Sequence, residues 1–198
     1  MVLLKESTDN SDLVLVDECR NGNPAAFDEL VRRYKDRIYA VVYRFLGQHE
    51  DAQDICQEVF MRAYRGIQGF KGHAHVYTWL YSIAGNLARN KLRDRHRKGR
   101  DKGASIESFQ NGIRDHILPQ SGRTPEDSAR ESETREALQA CLRELPEHYR
   151  MAFVLRTVDD LSYAEIADAM GCPVGTVKSR LNQARRLLKH RLTELDII

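Results

Sequence analysis

Apolar residues in the N-terminal half of the chain recur every three or four positions, the spacing of one buried face of an α-helix. Asn23 and Pro24 supply an N-cap and a first helical residue, and Gly47 follows the last apolar position, so a helix is predicted between them. A second helix is predicted up to Gly66, and a third runs from Val76 into a basic segment. The apolar positions of the three helices are Phe27, Leu30, Val31, Tyr34, Ile38, Val41, Val42 and Phe45, then Ala52, Ile55, Cys56, Val59, Phe60 and Ala63, then Val76, Leu80, Ile83, Leu87 and Leu92.

The C-terminal half has the same periodicity and clearer boundary signals. One helix is predicted through residues 137–145, and Pro146 opens the next. Ser162 and Glu165 have the spacing of a capping box, in which each side chain accepts a hydrogen bond from a free backbone amide at the helix start. Gly171 ends this short helix, and a longer helix follows. No segment shows the alternation of a strand, so the predicted fold class is all-α.

The helical periodicity fails between His96 and Asp127. Glycine and proline punctuate a polar stretch there, and a connection of this length is unusual within one compact domain. We therefore predict two small helical domains, residues 1–95 and 131–198, joined by a flexible linker over 96–130.

Composition excludes several classes of protein. The chain has 198 residues, of which 41% are hydrophobic and 30% charged, as is ordinary for a globular protein. No apolar run approaches the roughly 20 residues that span a bilayer, and residues 1–10 do not resemble a secretion signal, so we expect a cytoplasmic protein without membrane insertion. The four cysteines lack C-x-x-C spacing, which favours free thiols over a zinc or disulfide framework.

The net charge of +2 hides strong local differences. Basic residues dominate 86–102 and 178–191, whereas Glu50, Asp51, Asp54 and Glu58 form an acidic patch. Two basic segments far apart in sequence suit a polyanion that is bound at two places.

The last two predicted helices form a helix-turn-helix. A short capped helix, a turn with Gly171 and a longer basic helix are the parts of this motif. Burial of Val177, Leu181, Ala184 and Leu188 leaves a polar face outward, with side chains that can contact base edges or phosphates. That face carries Thr176, Lys178, Ser179, Asn182, Gln183, Arg185 and Arg186.

The basic end of the third helix is a second candidate. It offers Asn86, Arg89, Asn90, Arg93 and Arg97 near the aromatic residues Tyr77, Trp79 and Tyr81. Cations mixed with aromatic rings can hold single-stranded nucleic acid by stacking on unpaired bases. The alternative is that Trp79 and Phe70 belong to the core.

Both halves contain motifs of one family. The segments DAQDICQEVF at 51–60 and YTWLYSIAGN at 77–86 resemble the first domain of extracytoplasmic-function sigma factors of bacterial RNA polymerase. The segments LP at 145–146, LSYAEIA at 161–167 and PVGTVKSR at 173–180 resemble the second. The resemblance runs from about Phe27 to Leu192 and is weakest in the linker.

This resemblance implies a subunit that binds core RNA polymerase, promoter DNA and an anti-sigma factor, without a cofactor and without enzyme activity of its own. The acidic helix would dock on polymerase, the loop and helix around Asn86 would capture the melted −10 element, and the recognition helix would read the −35 duplex. The implied docking residues are Asp51, Asp54, Gln57, Glu58, Met61 and Arg65. Those for the −10 element are Lys71, His73, His75, Asn86, Arg89, Asn90 and Arg93, and those for the −35 element are Thr176, Lys178, Ser179, Arg180, Asn182, Gln183, Arg185 and Arg186.

Two other functions remain open at this point. A helix-turn-helix regulator that acts without polymerase would need a sensor domain, whereas the N-terminal half lacks the strand pattern of a receiver domain. A metal-dependent hydrolase could use His73 and His75 with Asp51 or Glu58, but the chain has no compact ligand motif such as H-E-x-x-H. We expect no metal site.

Overall fold

A computed structural model describes residues 2–101 and 136–195, with side chains described over 11–98 and 136–195. These residues form helices and turns without strands, which confirms the all-α prediction. The N-terminal half comprises α1 (Val2–Arg20), α2 (Pro24–Leu46), α3 (His49–Gly66), a 3-10 turn (Ile67–Gly69) and α4 (Val76–Asp101). The C-terminal half comprises α5 (residues 136–144), α6 (Glu147–Val158), α7 (Tyr163–Met170) and α8 (Val174–Glu194).

The predicted helix boundaries are confirmed at their capping residues. The Asn23 side chain accepts a hydrogen bond from the Ala25 amide at 3.1 Å, and Gly47 ends α2 with φ of 74°. The Ser162 hydroxyl accepts the Glu165 amide at 3.3 Å while the Glu165 carboxylate accepts the Ser162 amide, completing the capping box. Local side chains therefore determine where α2 and α7 begin.

Helix α1 was not predicted from the sequence. Polar residues separate its apolar positions, so no continuous stripe is visible. The helix adds the buried Val16 to the core and has a polar anchor as well: the fully buried Asp12 accepts a hydrogen bond from Arg33 at 2.8 Å and another from Tyr34. Burial and the adjacent carboxylate raise the pKa of Tyr34 far above its ordinary value, so the phenol remains the donor.

The predicted apolar stripes form the core. Ile38 and Phe45 of α2 and Val59 of α3 are fully buried, as are Leu181 and Ala184 of α8 to within 1%. One connected cluster of buried side chains extends from α2 and α3 through α4 into α6, α7 and α8. The two halves thus share a core instead of being held by the linker alone.

Polar contacts reinforce the boundary between the halves. Arg37 of α2 donates two hydrogen bonds to Asp159, at 2.7 and 2.6 Å, and Tyr81 of α4 donates a third at 2.6 Å. The buried Arg150 of α6 donates to the carbonyl oxygen of Phe45 at 2.9 Å. We call the Arg37–Asp159–Tyr81 group the interdomain clamp. We call the arrangement in which this clamp holds the two halves together the closed arrangement.

Helix α4 is longer than predicted. It continues to Asp101, so residues 96–101, expected to belong to the linker, are helical. The expected linker over 102–130 lies outside the described residues. Within 2–101 and 136–195, no helix combines the length and the apolar content needed to cross a membrane.

Candidate nucleic-acid interface

Helices α7 and α8 form the predicted helix-turn-helix. Gly171 takes the left-handed conformation, with φ of 60°, and its amide returns to the end of α7. Ile166, Ala167 and Ala169 face Val177 and Leu181 from inside the core, and all are buried. The buried face of α8 fixes which face of it meets solvent.

The outward face of α8 carries the residues predicted to contact the −35 element. Ser179 donates a hydrogen bond to the Thr176 carbonyl oxygen at 2.9 Å, and Arg180 lies with one nitrogen 3.4 Å from the Cys172 sulfur. Thr176, Arg180 and Gln183 are half-buried and lie at the edges of the face. Its exposed members are Lys178, Ser179, Asn182, Arg185 and Arg186.

The predicted −10 residues of α4 also lie on one outward face. Asn86, Asn90 and Arg93 are exposed. Arg89 is half-buried and donates to the Gly85 carbonyl oxygen at 3.1 Å and to the Asn86 side-chain oxygen at 2.5 Å. Arg89 therefore orients Asn86 and is less accessible than its neighbours.

The loop before α4 encloses a cavity of about 290 Å³. Lys71, His73 and His75 are exposed at its rim or beside it, and the His75 ring stacks on Tyr77 at 5.1 Å between centroids. Thr78 contributes to the wall of this cavity, and its own buried hydroxyl makes no hydrogen bond to the described residues.

The aromatic residues of α4 serve mainly in packing. Phe70 and the half-buried Trp79 contact each other at 4.9 Å between ring centroids, as expected if they belong to the core. Tyr77 and Tyr81 are 6% and 1% exposed, so the closed arrangement leaves neither ring open to a nucleic-acid base. The Tyr77 hydroxyl donates to Glu165 of α7.

The C-terminal half contributes a residue that the sequence did not reveal. Asp168 of α7 lines the same cavity as Lys71 and His73. A carboxylate at this position repels a phosphate, so the closed arrangement disfavours nucleic acid at the loop. The sequence carries no signal for this contact, because it depends on how the two halves meet.

The acidic helix α3 presents most of the predicted docking residues on one exposed face. Asp54, Gln57, Met61 and Arg65 are exposed, and Glu58 is half-buried and bonded to Arg62 at 2.6 Å. Tyr64, which is not among the predicted docking residues, is 54% exposed on the same helix. The face is therefore both acidic and apolar.

Asp51 is placed differently from the other docking candidates. Its carboxylate pairs with Lys91 at 2.7 Å and with Arg95, both on α4. Burial lowers the pKa of Arg95. Asp51 thus joins α3 to α4 within the N-terminal half, with only a small part of its side chain exposed.

The four cysteines, Cys19, Cys56, Cys141 and Cys172, are free thiols in the structure. Over 11–98 and 136–195, no three histidine, cysteine or acidic side chains gather as ligands for a metal.

Comparison with known proteins matches both halves. The family model described as Sigma-70 region 2 matches residues 30–98, and that of Sigma-70, region 4 matches residues 135–188. The RNA polymerase sigma-H factor of Pseudomonas aeruginosa is 38% identical over 188 residues, covering 95% of this chain and 97% of that protein. The ECF RNA polymerase sigma-E factor of Escherichia coli K12 is 38% identical over 188 residues, covering 93% and 96%.

A solved structure has the same overall fold. It is the sigma factor RpoE in complex with the anti-sigma factor NepR from Bartonella quintana, with a TM-score of 0.67 and 26% identity. The alignment covers 84% of this chain and 96% of that one.

Proposed function

This chain belongs to the extracytoplasmic-function sigma factors of bacterial RNA polymerase, and we propose that it binds core polymerase and directs initiation at promoters that carry its −35 and −10 elements. The observation that carries the proposal is the presence of two outward polar faces, on α4 and α8, in separate halves of the protein. A regulator that acts without polymerase is not favoured, because both sigma regions match in order along the chain. The chain would act by binding, in the cytoplasm, and not by catalysis.

Recognition of the −35 duplex would rest on α8. Lys178 and Ser179 lie near its N-terminal end, with Asn182 one turn later, and all three are exposed. Recognition helices present their N-terminal residues to base edges in the major groove. The exposed Arg185 and Arg186, further along, suit phosphate contacts that set the position on the duplex.

Capture of the −10 element would rest on α4 and the loop before it. The exposed amides of Asn86 and Asn90 can pair with the edges of unpaired bases, and Arg93 can contact the backbone. The cavity beside Lys71 and His73 has room for one extruded base.

Docking on polymerase would use the exposed face of α3. Asp54, Glu58 and Arg65 supply charges, while Met61 and Tyr64 supply exposed apolar surface, a combination typical of protein interfaces. Asp51 would position this face by joining α3 to α4, since its carboxylate is already paired.

Initiation would require the two halves to separate. The centres of −35 and −10 elements lie about 25 base pairs apart, or roughly 85 Å. A compact chain of 198 residues has a radius of gyration of about 16 Å, so the closed arrangement is too small to contact both elements. We propose that polymerase holds the halves apart and that an anti-sigma factor binds this chain, since the similar sigma factor RpoE forms a complex with the anti-sigma factor NepR.

In vitro transcription tests the proposal most directly. Purified chain and core polymerase would be supplied with a promoter library randomised at both elements, and the transcribed sequences should share one −35 and one −10 motif. N182A should change the −35 motif alone, and N90A the −10 motif alone. Transcription no greater than with core polymerase alone, or transcripts without a shared motif, would refute the proposal.

A further inference from the structure

A cleft of about 790 Å³ lies between the end of α4 and the corner that joins α5 to α6. Each half of the protein therefore supplies one wall. The volume falls within the range of about 300–1,000 Å³ that small-molecule sites occupy, and it is too small for a nucleic-acid duplex. The cleft is separate from the faces assigned above to the −35 duplex and to polymerase, and it shares Arg93 with the face assigned to the −10 element.

Cations dominate both walls of this cleft. Arg93 and Arg97 of α4 face Arg143 and Arg150 from the C-terminal half. Among the described residues, Arg93 and Arg143 form no ion pair, and Arg97 has only a pair with Asp94 at 3.3 Å, exposed to solvent. Four like charges around one cavity repel one another unless an anion lies between them.

The acidic residues at the cleft compensate these charges only in part. Glu144 already forms an ion pair with Arg191 at 2.7 Å. Glu147 therefore supplies a single negative charge at the cleft, where four arginines supply positive charge. The apolar side chain of Leu92 and the ring of Pro146 supply the remaining wall. The cleft thus offers positive charge together with a limited apolar surface.

Arg150 is the buried member of the group. It is 5% exposed and donates to the carbonyl oxygens of Phe45 and Leu145, both at 2.9 Å, but its Nε makes no hydrogen bond to the described residues. Burial, and then the charge of Arg143, lower the pKa of Arg150 to about 10. A buried guanidinium that has carbonyl partners and no carboxylate leaves net positive charge at the cleft floor.

The N-terminus of α6 adds to this positive potential. Pro146 is the N-cap and has no side chain that can accept a hydrogen bond. The amides that open a helix carry partial positive charge and bind phosphate groups in many proteins. Helix α6 has 12 residues, so its end can contribute in this way beside Arg150.

We propose that this interdomain cleft binds a small molecule that carries two or more phosphate groups, held by Arg93 and Arg97 from one half and Arg143 from the other. Because the ligand contacts both halves, it binds the closed arrangement and shifts the population toward it. It would therefore oppose the separation that promoter recognition requires. The inference goes beyond the proposed function, and its test needs neither polymerase nor DNA.

Calorimetric titration of the full chain with inorganic tripolyphosphate tests the proposal. We expect saturable binding with one equivalent, at least ten-fold weaker in R93Q/R143Q, which removes one cation from each wall. The matched control R185Q/R186Q removes two arginines from α8 and should change the affinity less than two-fold. Absence of saturable binding, or equal losses in both double variants, would overturn the proposal in favour of non-specific attraction to a basic protein.

Two further arms sharpen the result. ATP should bind at least as tightly as tripolyphosphate, and orthophosphate or AMP at least ten-fold more weakly; equal binding of AMP would overturn the requirement for two phosphates. D159N, remote from the cleft, should weaken tripolyphosphate binding because it loosens the closed arrangement, and unchanged affinity would overturn the bridging role. If R93Q/R143Q loses its helical circular dichroism, the single variant R93E replaces it in the titration. Arg93 is exposed, so this change should weaken tripolyphosphate binding without unfolding the chain.

Discussion

Substitution of Asp159 by asparagine should destabilise the closed arrangement. The carboxylate accepts two hydrogen bonds from Arg37 and one from Tyr81, and its side chain is 10% exposed. Asparagine has nearly the same size but replaces one acceptor oxygen by a donor amide and removes the charge. The change therefore leaves Arg37 without its counterion while it disturbs packing little.

The magnitude follows from the burial of the pair. Loss of one partner of a fully buried ion pair costs about 3–5 kcal/mol, but the Arg37 side chain is 35% exposed and water screens part of this. We therefore expect a loss of about 2–3 kcal/mol, a shift of roughly 30- to 150-fold in the equilibrium between closed and open arrangements. D160N is the matched control, because the pair of Asp160 with Arg156 is more exposed and worth about 0–1 kcal/mol.

Urea denaturation and small-angle scattering measure the effect. D159N should lower the free energy of unfolding by the stated amount relative to D160N, and its radius of gyration should exceed the roughly 16 Å of a compact chain if the open arrangement becomes populated. Core polymerase should bind D159N more tightly, because a larger fraction of the molecules is already in the open arrangement that polymerase binds. Equal stability of D159N and D160N would refute the role of the interdomain clamp.

Three further predictions concern other parts of the protein. Reversal of Asp54 and Glu58 to lysine should abolish binding to core polymerase without loss of helical circular dichroism, whereas D28K, exposed on α2, should bind normally. Q183A should alter the −35 preference in transcription assays, at a cost of about 1–3 kcal/mol if the contact is bidentate, and an equal loss for all −35 sequences would make Gln183 a packing residue. Burial raises the pKa of the Cys56 thiol from 9.0 to about 11, above its value in the unfolded chain, so its contribution to stability is complete below pH 9 and is lost as the pH rises through 11. Urea titrations should show that C56A loses this part of the alkaline slope; an unchanged slope would contradict the assignment.

Local signals explain why much of the fold could be predicted from the sequence. Asn23 and Gly47 act on backbone groups a few residues away, and Ser162 and Glu165 act on each other across one helical turn. Such contacts form whatever the rest of the chain does, so their sequence spacing is sufficient. The outward face of α8 is predictable for a similar reason, because burial of Leu181 and its neighbours determines it.

Contacts between distant residues could not be predicted in this way. Asp12 stabilises α1 through Arg33 and Tyr34, and its polar side chain interrupts the apolar pattern that would reveal the helix. Asp51 appears in the sequence as part of an acidic patch, yet it pairs with Lys91 on another helix. In both cases a carboxylate is withdrawn from solvent and paired with a side chain on another helix. The spacing of apolar residues along the sequence does not identify such a partner.

The two sides of α4 link DNA capture to the arrangement of the halves. Asn86 and Asn90 face outward, whereas Tyr81 faces the C-terminal half, so Tyr81 does not lie beside the basic residues as its sequence position suggested. Tyr77 connects the sides: its ring stacks on His75 of the −10 loop while its hydroxyl donates to Glu165 of α7. The proposed separation of the halves would break the second contact and remove Asp168 from the cavity at the loop. The opening that we propose for promoter recognition would therefore also remove negative charge from the loop that we propose binds the melted strand.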